Sequence, residues 1–354
     1  MFRKVLINLQ FYFNCVHDQK LSSIESLKCL NDYYLKDKPN FKQVNHIKKI
    51  KDLMIIVPVY NVEKFLEKNI NSVLGQKTDY SYDVVFVDDG STDHSLNILN
   101  RYKDIENVSI IAQKNNGVSS ARNAALKNID AKYLFFVDSD DYISEDCVQK
   151  LLDCAYKTQS QIVQGNFAYV YNETTENNVL DEKSIPGYPW GKVISSELFE
   201  NICFPQGFIF EDTIINTLIF PSTNKIVCID DVVYYYRENL EGISHSFIDD
   251  KKMLDTIYMT YFCYKESFDR GLKIDYATFC QQVRINWFRI QKFPENIVRV
   301  SFYLMCDLYD FYYSKSKDTS IDFEGVKYYD HCFKNKNFKS FLILMNNWAL
   351  LLNK

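Results

Sequence analysis

The sequence predicts an α/β chain, a mostly parallel sheet with helices on both faces, continued by an all-helical C-terminal region. Three observations carry that expectation. Four apolar, β-branched runs, Leu53–Val59, Asp83–Val87, Val108–Ala112 and Tyr133–Val137, have the texture of strands buried on both faces. Stretches with helical start and stop signals lie between them, and this alternation calls for a parallel sheet. Beyond Asp249 only Gly271, Gly325 and Pro294 interrupt the helical periodicity, so the tail reads as helices alone.

Taken in order, residues 1–51 read as a helical extension, with Ser22 and Ser23 as candidate caps and a link rich in lysine (Lys36, Lys38, Lys42, Lys48, Lys49 and Lys51). Asn61 can cap a helix through Leu74 that stops at Gly75, and Ser91 or Asp93 one through Tyr102. Ser119 or Ser120 can open a third through Lys127, and Ser144 precedes a fourth through Tyr156. Ile162–Val170 adds a strand. The stretch from Ile185 to His245 is rich in Pro, Gly and Trp and reads as loops, with a helix near Glu211–Phe220 and a strand at Lys225–Ile229. Runs at Met253–Tyr264, Val283–Ile290, Val298–Tyr313 and Phe338–Leu352 supply the tail helices. The expected divisions are therefore residues 1–51, an α/β domain over 52–248 and a helical region over 249–354.

A length of 354 residues suits two domains, and 47% hydrophobic with 25% charged residues excludes wholesale disorder and fibrous architectures. Lys+Arg 41 against Asp+Glu 46 leaves a net charge of −5, which argues against a chain built to neutralise a nucleic-acid backbone. The ten cysteines form no C-x-x-C pair and read as reduced, buried apolar residues. The apolar residues of Met1–Val16 are broken by Asn8, Gln10 and Asn14, too short and too polar a segment to span a bilayer. A cytoplasmic protein is expected, with peripheral attachment at the inner face of the cell membrane left open.

Polar residues gather where the predicted strands end: Pro58-Val59-Tyr60-Asn61, Asp88-Asp89-Gly90-Ser91-Thr92-Asp93, Lys114-Asn115-Asn116-Gly117 and Asp138-Ser139-Asp140-Asp141. Open parallel sheets bind ligands beyond those ends, so the four make one cleft. Neither a Gly-x-Gly-x-x-Gly turn nor a P-loop occurs, which argues against dinucleotide oxidoreductases and P-loop NTPases. A cleft lined by Asp88, Asp89, Asp138, Asp140 and Asp141 repels a bare phosphate, and a divalent cation resolves the conflict. Asp138 and Asp140, two apart, can divide the work, one reaching a ribose or metal-bound water and the other holding a cation that bridges two phosphates. An aspartate-rich turn capping the next helix is the plainer alternative. Asp88 or Asp89 can accept from a base N–H, and Arg122 can join the metal in neutralising phosphate.

These motifs in this order resemble the nucleotide-sugar half of the family 2 glycosyltransferases, inverting enzymes of the Rossmann-like GT-A fold. Val-Pro-Val-Tyr-Asn, Val-Asp-Asp-Gly-Ser-Thr-Asp, Asn-Asn-Gly-Val-Ser-Ser-Ala-Arg-Asn and Phe-Val-Asp-Ser-Asp-Asp, within Met54–Asp141, carry the likeness. It continues more loosely through Pro189-Trp190-Gly191-Lys192, Phe204-Pro205, Glu211-Asp212 and Tyr234-Tyr235-Tyr236-Arg237 to Ser244-His245-Ser246. The resemblance implies that Pro58, Tyr60, Asp88 and Asp89 surround a uridine-type base and ribose, with Asn116 and Arg122 beside base and diphosphate. It implies that Asp138 faces ribose or metal, with Ser139 beside it, and that Asp140 binds Mn2+ or Mg2+. Asp212 of the Glu211-Asp212 pair would be the base toward the acceptor, and His245 would complete the metal and diphosphate site.

The function implied is inverting transfer of a sugar from a nucleotide sugar, UDP-linked, to a hydroxyl of a saccharide or lipid-linked acceptor in surface polysaccharide or glycoconjugate synthesis. A sugar nucleotidyltransferase and a non-catalytic scaffold that binds nucleotide sugars are the rivals. The first usually needs a glycine-rich basic loop, which strand one lacks; the second would have lost the Asp-x-Asp or the acidic pair, and both are present. Trp190 and Lys192 read either as lining the acceptor or sugar pocket or as a buried Trp with a Lys that snorkels to water. Phe338, Phe341, Leu342, Leu344, Met345, Trp348, Leu351 and Leu352 make the last helix apolar on nearly every face, to be covered by preceding helices, a second subunit or a membrane headgroup layer.

Overall fold

A computed structural model of the chain describes residues 20–171, 174–178, 185–239, 242, 251–313 and 326–347. The described residues fall into two compact units, one within 39–246, the other joining residues up to 38 with those from 247 onward. Helix α1 (Ser23–Tyr33) belongs to the latter and starts as its sequence predicts. Ser22 Oγ accepts from the Glu25 N–H at 3.2 Å while Glu25 Oε2 accepts from the Ser22 N–H at 2.8 Å, a reciprocal capping box.

In the sheet unit the first strand is longer than its apolar run. β1 (His46–Val59) opens inside the lysine-rich link, its register slips between Ile47 and Lys51, where Lys49 has φ 55°, and only Leu53–Val59 is buried throughout. The outer half pairs like a strand but faces water, its Lys48 and Lys51 reaching Asp130 and Asp83 at 3.6 Å. A hydrophobic pattern cannot reveal it. Next come α2 (Glu63–Leu74), β2 (Tyr82–Asp88), the short α3 (Ser95–Leu99), β3 (Val108–Ala112), α4 (Val118–Leu126) and β4 (Asn128–Phe136). Then follow β5 (Tyr142–Ile143), α5 (Cys147–Thr158), β6 (Ile162–Tyr171), β7 (Thr174–Asn178), β8 (Lys192–Ser195) and β9 (Ile226–Arg237). The expected strand at Lys225–Ile229 thus runs on through the tyrosines, and the expected helix near Glu211 is a π-helical turn, Ile215–Ile219.

The sheet order is β3-β2-β1-β4-β8-β6-β9-β5, with β7 on β6. β3, β2, β1 and β4 are mutually parallel, as the alternation predicts, whereas β8 is antiparallel to both β4 and β6, and β9 is parallel to β6. The carboxyl ends of β1 to β4 and β9 therefore share one edge with the amino end of β8. Leu53, Ile55 and Val57 of β1 pack with Leu66, Ile70 and Val73 of α2 and with Val148, Leu151 and Leu152 of α5, a continuous core that makes this edge rigid.

The helical unit continues with α6 (Asp255–Asp269), α7 (Tyr276–Ile290), α8 (Glu295–Tyr312), α9 (Val326–Lys334) and α10 (Phe338–Asn346). Asp275 caps α7 by accepting from the Thr278 N–H at 2.8 Å. Phe338, Phe341, Leu344 and Met345 of α10 are buried, and Leu342 and Ile343 are half-buried. Phe338 and Phe341 meet Phe302 of α8 at ring distances of 5.7 and 4.8 Å, and Phe341 also meets Trp287 of α7 and Phe333 of α9. Trp348, Leu351 and Leu352 lie outside the described residues. Among those described, no helix is long and apolar enough to cross a membrane, and no disulfide joins two cysteines.

Candidate active site at the carboxyl edge of the sheet

The loops after β1 and β2 are tied to each other before any ligand is considered. Asn61, at φ 50°, accepts on Oδ1 from the Thr92 N–H at 2.8 Å, and its own N–H donates to Ser91 Oγ at 3.1 Å. An asparagine tolerates this left-handed backbone, so Asn61 serves as a clasp, while Val62 occupies the N-cap of α2. Pro58 is buried in β1 opposite Val87, beyond the last β1–β4 register pair, where a missing N–H costs no ladder bond. Tyr60, just past the strand, is 45% exposed and open to a planar ligand.

The two adjacent aspartates that end β2 have different tasks. Asp89 is buried and accepts from Gln113 Nε2 at 2.7 Å and from the backbone N–H groups of Asn116 and Gly117 at 3.0 and 2.7 Å. Both its oxygens hold the loop after β3. Asp88 Oδ2 accepts from the N–H groups of Gly90 and Ser91, each at 3.2 Å, and its buried Oδ1 has no hydrogen-bond partner among the described residues. Gly90 must be glycine here: it has φ 75°, and a Cβ would lie 2.7 Å from the Asn115 nitrogen. Asn116 is exposed at the tip of the loop that Asp89 holds.

The turn Asp138-Ser139-Asp140-Asp141 after β4 is held from several sides. Asn69 of α2 donates from Nδ2 to the carbonyls of both Asp138 and Asp141 at 3.0 Å. Tyr234 of β9 accepts on its hydroxyl from the Asp138 N–H at 3.1 Å and donates to Asp141 Oδ2 at 2.6 Å, while the Arg237 N–H donates to Asp141 Oδ1 at 2.8 Å. Burial, with the neighbouring Asp140 and Asp138 charges adding to it, drives the Asp141 carboxyl far above its ordinary range. Asp140 is also raised, by burial first and then by Asp138, while Asn239 Nδ2 donates to its Oδ2 at 2.9 Å. Ser139 is buried between them.

Arg122 points inward, against the turn after β4. Its guanidinium is 4% exposed, donating to Asp138 Oδ1 at 2.9 Å and to Glu211 Oε1 at 2.7 Å over the Phe204 ring. Burial alone would lower its pKa, but the Asp138 and Glu211 carboxylates outweigh that and raise it. It therefore acts as a bridge between the turn after β4 and the acidic pair. Asp212 sits beside Glu211, half-buried at the entry to the helical turn that follows.

A cation would find hard oxygen donors here. Asp138 and Asp140 share one turn and carboxylate charge accumulates around them, whereas among the described residues no three His, Cys, Asp or Glu side chains gather into a metal cage. Two carboxylates completed by substrate phosphates suit Mg2+ or Mn2+, ions held in that way elsewhere. His245 lies outside the described residues.

Asn69, Tyr234 and Arg237 were not among the expected site residues. Asn69 had a readable signal, a polar residue on the apolar stripe of Leu66, Ile70 and Val73. Tyr234 reads as plain strand core, and only its hydroxyl contacts reveal more. Lys192 departs from both expectations: it neither lines an open pocket nor snorkels, being 0% exposed, with Nζ donating to the carbonyls of Pro186 at 3.3 Å, Tyr188 and Trp190 at 3.1 Å. Burial pulls its pKa down to about 7, opposed by Cys228 and the Asp212 carboxylate.

The chain resembles known proteins in sequence and in fold. Residues 54–211 match the family model described as Glycosyl transferase family 2. Glycosyltransferase GlyA of Streptococcus pneumoniae is 31% identical over 212 residues, 52% of this chain and 30% of that protein. The uncharacterized glycosyltransferase EpsJ of Bacillus subtilis is 34% identical over 214 residues, 54% of this chain and 62% of that one. The chain thus spans less than two thirds of either relative. The crystal structure of S. aureus TarS 1–349 in complex with UDP-GlcNAc superposes with a TM-score of 0.66 at 20% identity, covering 84% of this chain and 92% of that one, so the two share a fold.

Proposed function

With residues 54–211 belonging to glycosyl transferase family 2, we propose that this chain transfers a sugar from a nucleoside diphosphate sugar to an acceptor hydroxyl with inversion at the anomeric carbon. The observation that carries the reading is the single edge on which Asp88, the Asp138–Asp141 turn and the Glu211-Asp212 pair meet, the last two joined by Arg122. Asp88 Oδ1, buried and unpartnered, suits the N–H of a pyrimidine base, and Tyr60 can flank that base. UDP is the favoured nucleotide, because TarS, of the same fold, was solved with UDP-GlcNAc.

Asp138 and Asp140 would hold Mn2+ or Mg2+, which when bound neutralises the charge gathering on the departing diphosphate. Arg122 keeps the Glu211 carboxylate in an ion pair, which fits Glu211 for positioning and leaves the base to Asp212. Asp212 takes the proton of the incoming hydroxyl as its oxygen attacks the anomeric carbon and the carbon–oxygen bond to the diphosphate breaks. One displacement inverts the centre, so an α-linked donor gives a β-linked product. The acceptor is a hydroxyl of a saccharide or a lipid-linked saccharide, the class of substrate met in surface polysaccharide synthesis.

The purified chain, incubated with a panel of nucleotide sugars and Mn2+ or Mg2+, should release nucleoside diphosphate from one UDP sugar above all others. Chelator and Asp140→Ala should each abolish that release. Full release in chelator would remove the metal from the proposal, and no release from any donor, with or without acceptor saccharides, would remove the transferase reading.

A further inference from the structure

We propose that Lys192 is a positioning residue for the donor site: its buried ammonium fixes the segment Pro186–Trp190, and through the Trp190–Tyr234 stack that segment fixes the turn Asp138–Asp141. The structural half stands by itself; the kinetic half rests on the transferase reading above.

An ammonium has three protons and no other polar capacity, and Lys192 gives them to three carbonyls of one five-residue segment, those of Pro186, Tyr188 and Trp190. That segment belongs to no helix or strand, and an isolated bridge between Trp190 and Phe136 joins it to the end of β4. Its carbonyls need donors from a side chain, and Lys192, at the amino end of β8, is placed to supply them. Space alone does not account for this residue. A buried ammonium forfeits several kcal/mol of hydration, and a methionine of similar volume would fill the site without that loss. Among the described residues it makes no ion pair, so the bonds to the segment are what hold it.

The segment in turn delivers Trp190. The indole is sandwiched between Tyr188, at 4.8 Å and 10°, and Tyr234, at 4.6 Å and 15°. Tyr234 is fully buried, and its hydroxyl both receives the Asp138 N–H and donates to Asp141. One run of contacts therefore leads from the Lys192 ammonium to the backbone of a proposed metal ligand. Burial pulls the Lys192 pKa down, and the Cys228 and Asp212 charges oppose that fall.

The test uses Lys192→Met, Tyr234→Phe and Trp190→Phe in the full chain, with UDP and Mn2+ as the probe. The near-ultraviolet circular dichroism lost in Trp190→Phe defines the signal of the stack. Lys192→Met should lose most of that signal and bind UDP with Mn2+ about tenfold more weakly, with a comparable fall in donor turnover, the range seen when groups orienting a metal ligand are removed. Tyr234→Phe should keep the stack signal and show the same loss of UDP affinity, which a merely structural role would not produce. The proposal is overturned if Lys192→Met keeps both the stack signal and UDP affinity within twofold, or if Tyr234→Phe binds UDP as the wild type does. Should Lys192→Met fail to fold, Tyr234→Phe and Trp190→Phe decide: both must weaken UDP binding, and wild-type affinity in either overturns the link. A wild type that binds no nucleoside diphosphate defeats the transferase reading, while the stack signal still decides whether Lys192 sets Trp190.

Discussion

Arg122 offers the sharpest test of how the site is held, because a single side chain joins two segments 89 residues apart in sequence, at Arg122 and Glu211. Arg122→Met keeps length and apolar contact with Phe204 but leaves Asp138 and Glu211 facing each other without a cation. Removing one partner of a buried ion pair costs about 3–5 kcal/mol. Asp138 and Glu211 retain 29% and 14% of their exposure, so water relieves part of the loss, and the lower end, about 3 kcal/mol, applies. For a unit of this size that corresponds to a fall in Tm of about 6–12 °C. The pKa of Arg122 is raised on folding, so its contribution is complete below the unfolded value and fades only as pH rises through the folded one. The penalty on the arginine side should therefore be unchanged across the neutral and mildly alkaline range. Thermal unfolding followed by circular dichroism measures it, and the double variant Arg122→Met/Glu211→Gln should recover roughly 1–2 kcal/mol of the loss, since one stranded charge is gone. A single variant melting within about 2 °C of wild type, or a double variant with no recovery, would refute the bridge as a source of order.

Three further expectations follow from the same edge and from the sheet behind it. Asp89→Ala frees the loop after β3 and should raise amide hydrogen exchange at Asn116 and Gly117, with about 1–3 kcal/mol lost from stability and UDP affinity lost with it; protected amides there would contradict the clasp. Asp212→Asn should leave donor affinity by calorimetry nearly unchanged while kcat falls ~10²–10⁴-fold, and retained turnover would move the base to Glu211. At Asp52, burial opposes ionisation, but hydrogen bonds from Tyr156, Lys132 and Ser81 outweigh it and hold the carboxyl down at about 2. A depressed folded pKa gives stability above the unfolded value that is lost as pH falls through the folded one, so Asp52→Asn should flatten the loss of urea midpoint between roughly pH 4 and 2. The Asp52 side chain keeps 21% of its exposure and its partner Lys132 46%, so solvent screens the interaction and the effect should be small.

The parallel half of the sheet was legible because Leu53–Val59 of β1 and Val84–Asp88 of β2 are buried and almost wholly apolar, while β3, at the end of the sheet and largely open to water rather than buried on both faces, still carries a short β-branched run. Val108–Ala112 has the bounds the sequence suggests, and Asp83–Val87 differs by one residue at each end. What escaped was structure without a hydrophobic signature: the lysine-rich start of β1, and the run of β9 from Ile229 through Asp230 and Asp231 into the tyrosines. In the site, the acidic residues at strand ends could be read from spacing, but their partners could not. Nothing in Ala-Arg-Asn says that Arg122 turns inward to Glu211, because that depends on where the chain returns 89 residues later. Likewise the hydroxyl of Tyr234 becomes informative only once β9 lies beside β6 and ends at the same edge.

These partnerships sort the acidic residues by what they have left to offer. Asp89 has both oxygens engaged by its loop, and Asp141 has both engaged by Tyr234 and the Arg237 backbone, so neither fits a ligand without dismantling the edge. Glu211 and one oxygen of Asp138 belong to Arg122. Asp88 keeps one buried oxygen without a partner, a cost that a donor from a bound base would remove. Asp140 carries a carboxyl raised by burial and by Asp138, and a cation is the partner that would restore its charge. Asp88 thus has room for one hydrogen-bond donor, and Asp140, which already accepts from Asn239 and feels the Arg237 charge, has room for a further positive charge. On the proposed reading a nucleotide with its metal would supply both at once, whereas a bare sugar offers donors without the charge and an unmetallated phosphate offers no positive charge.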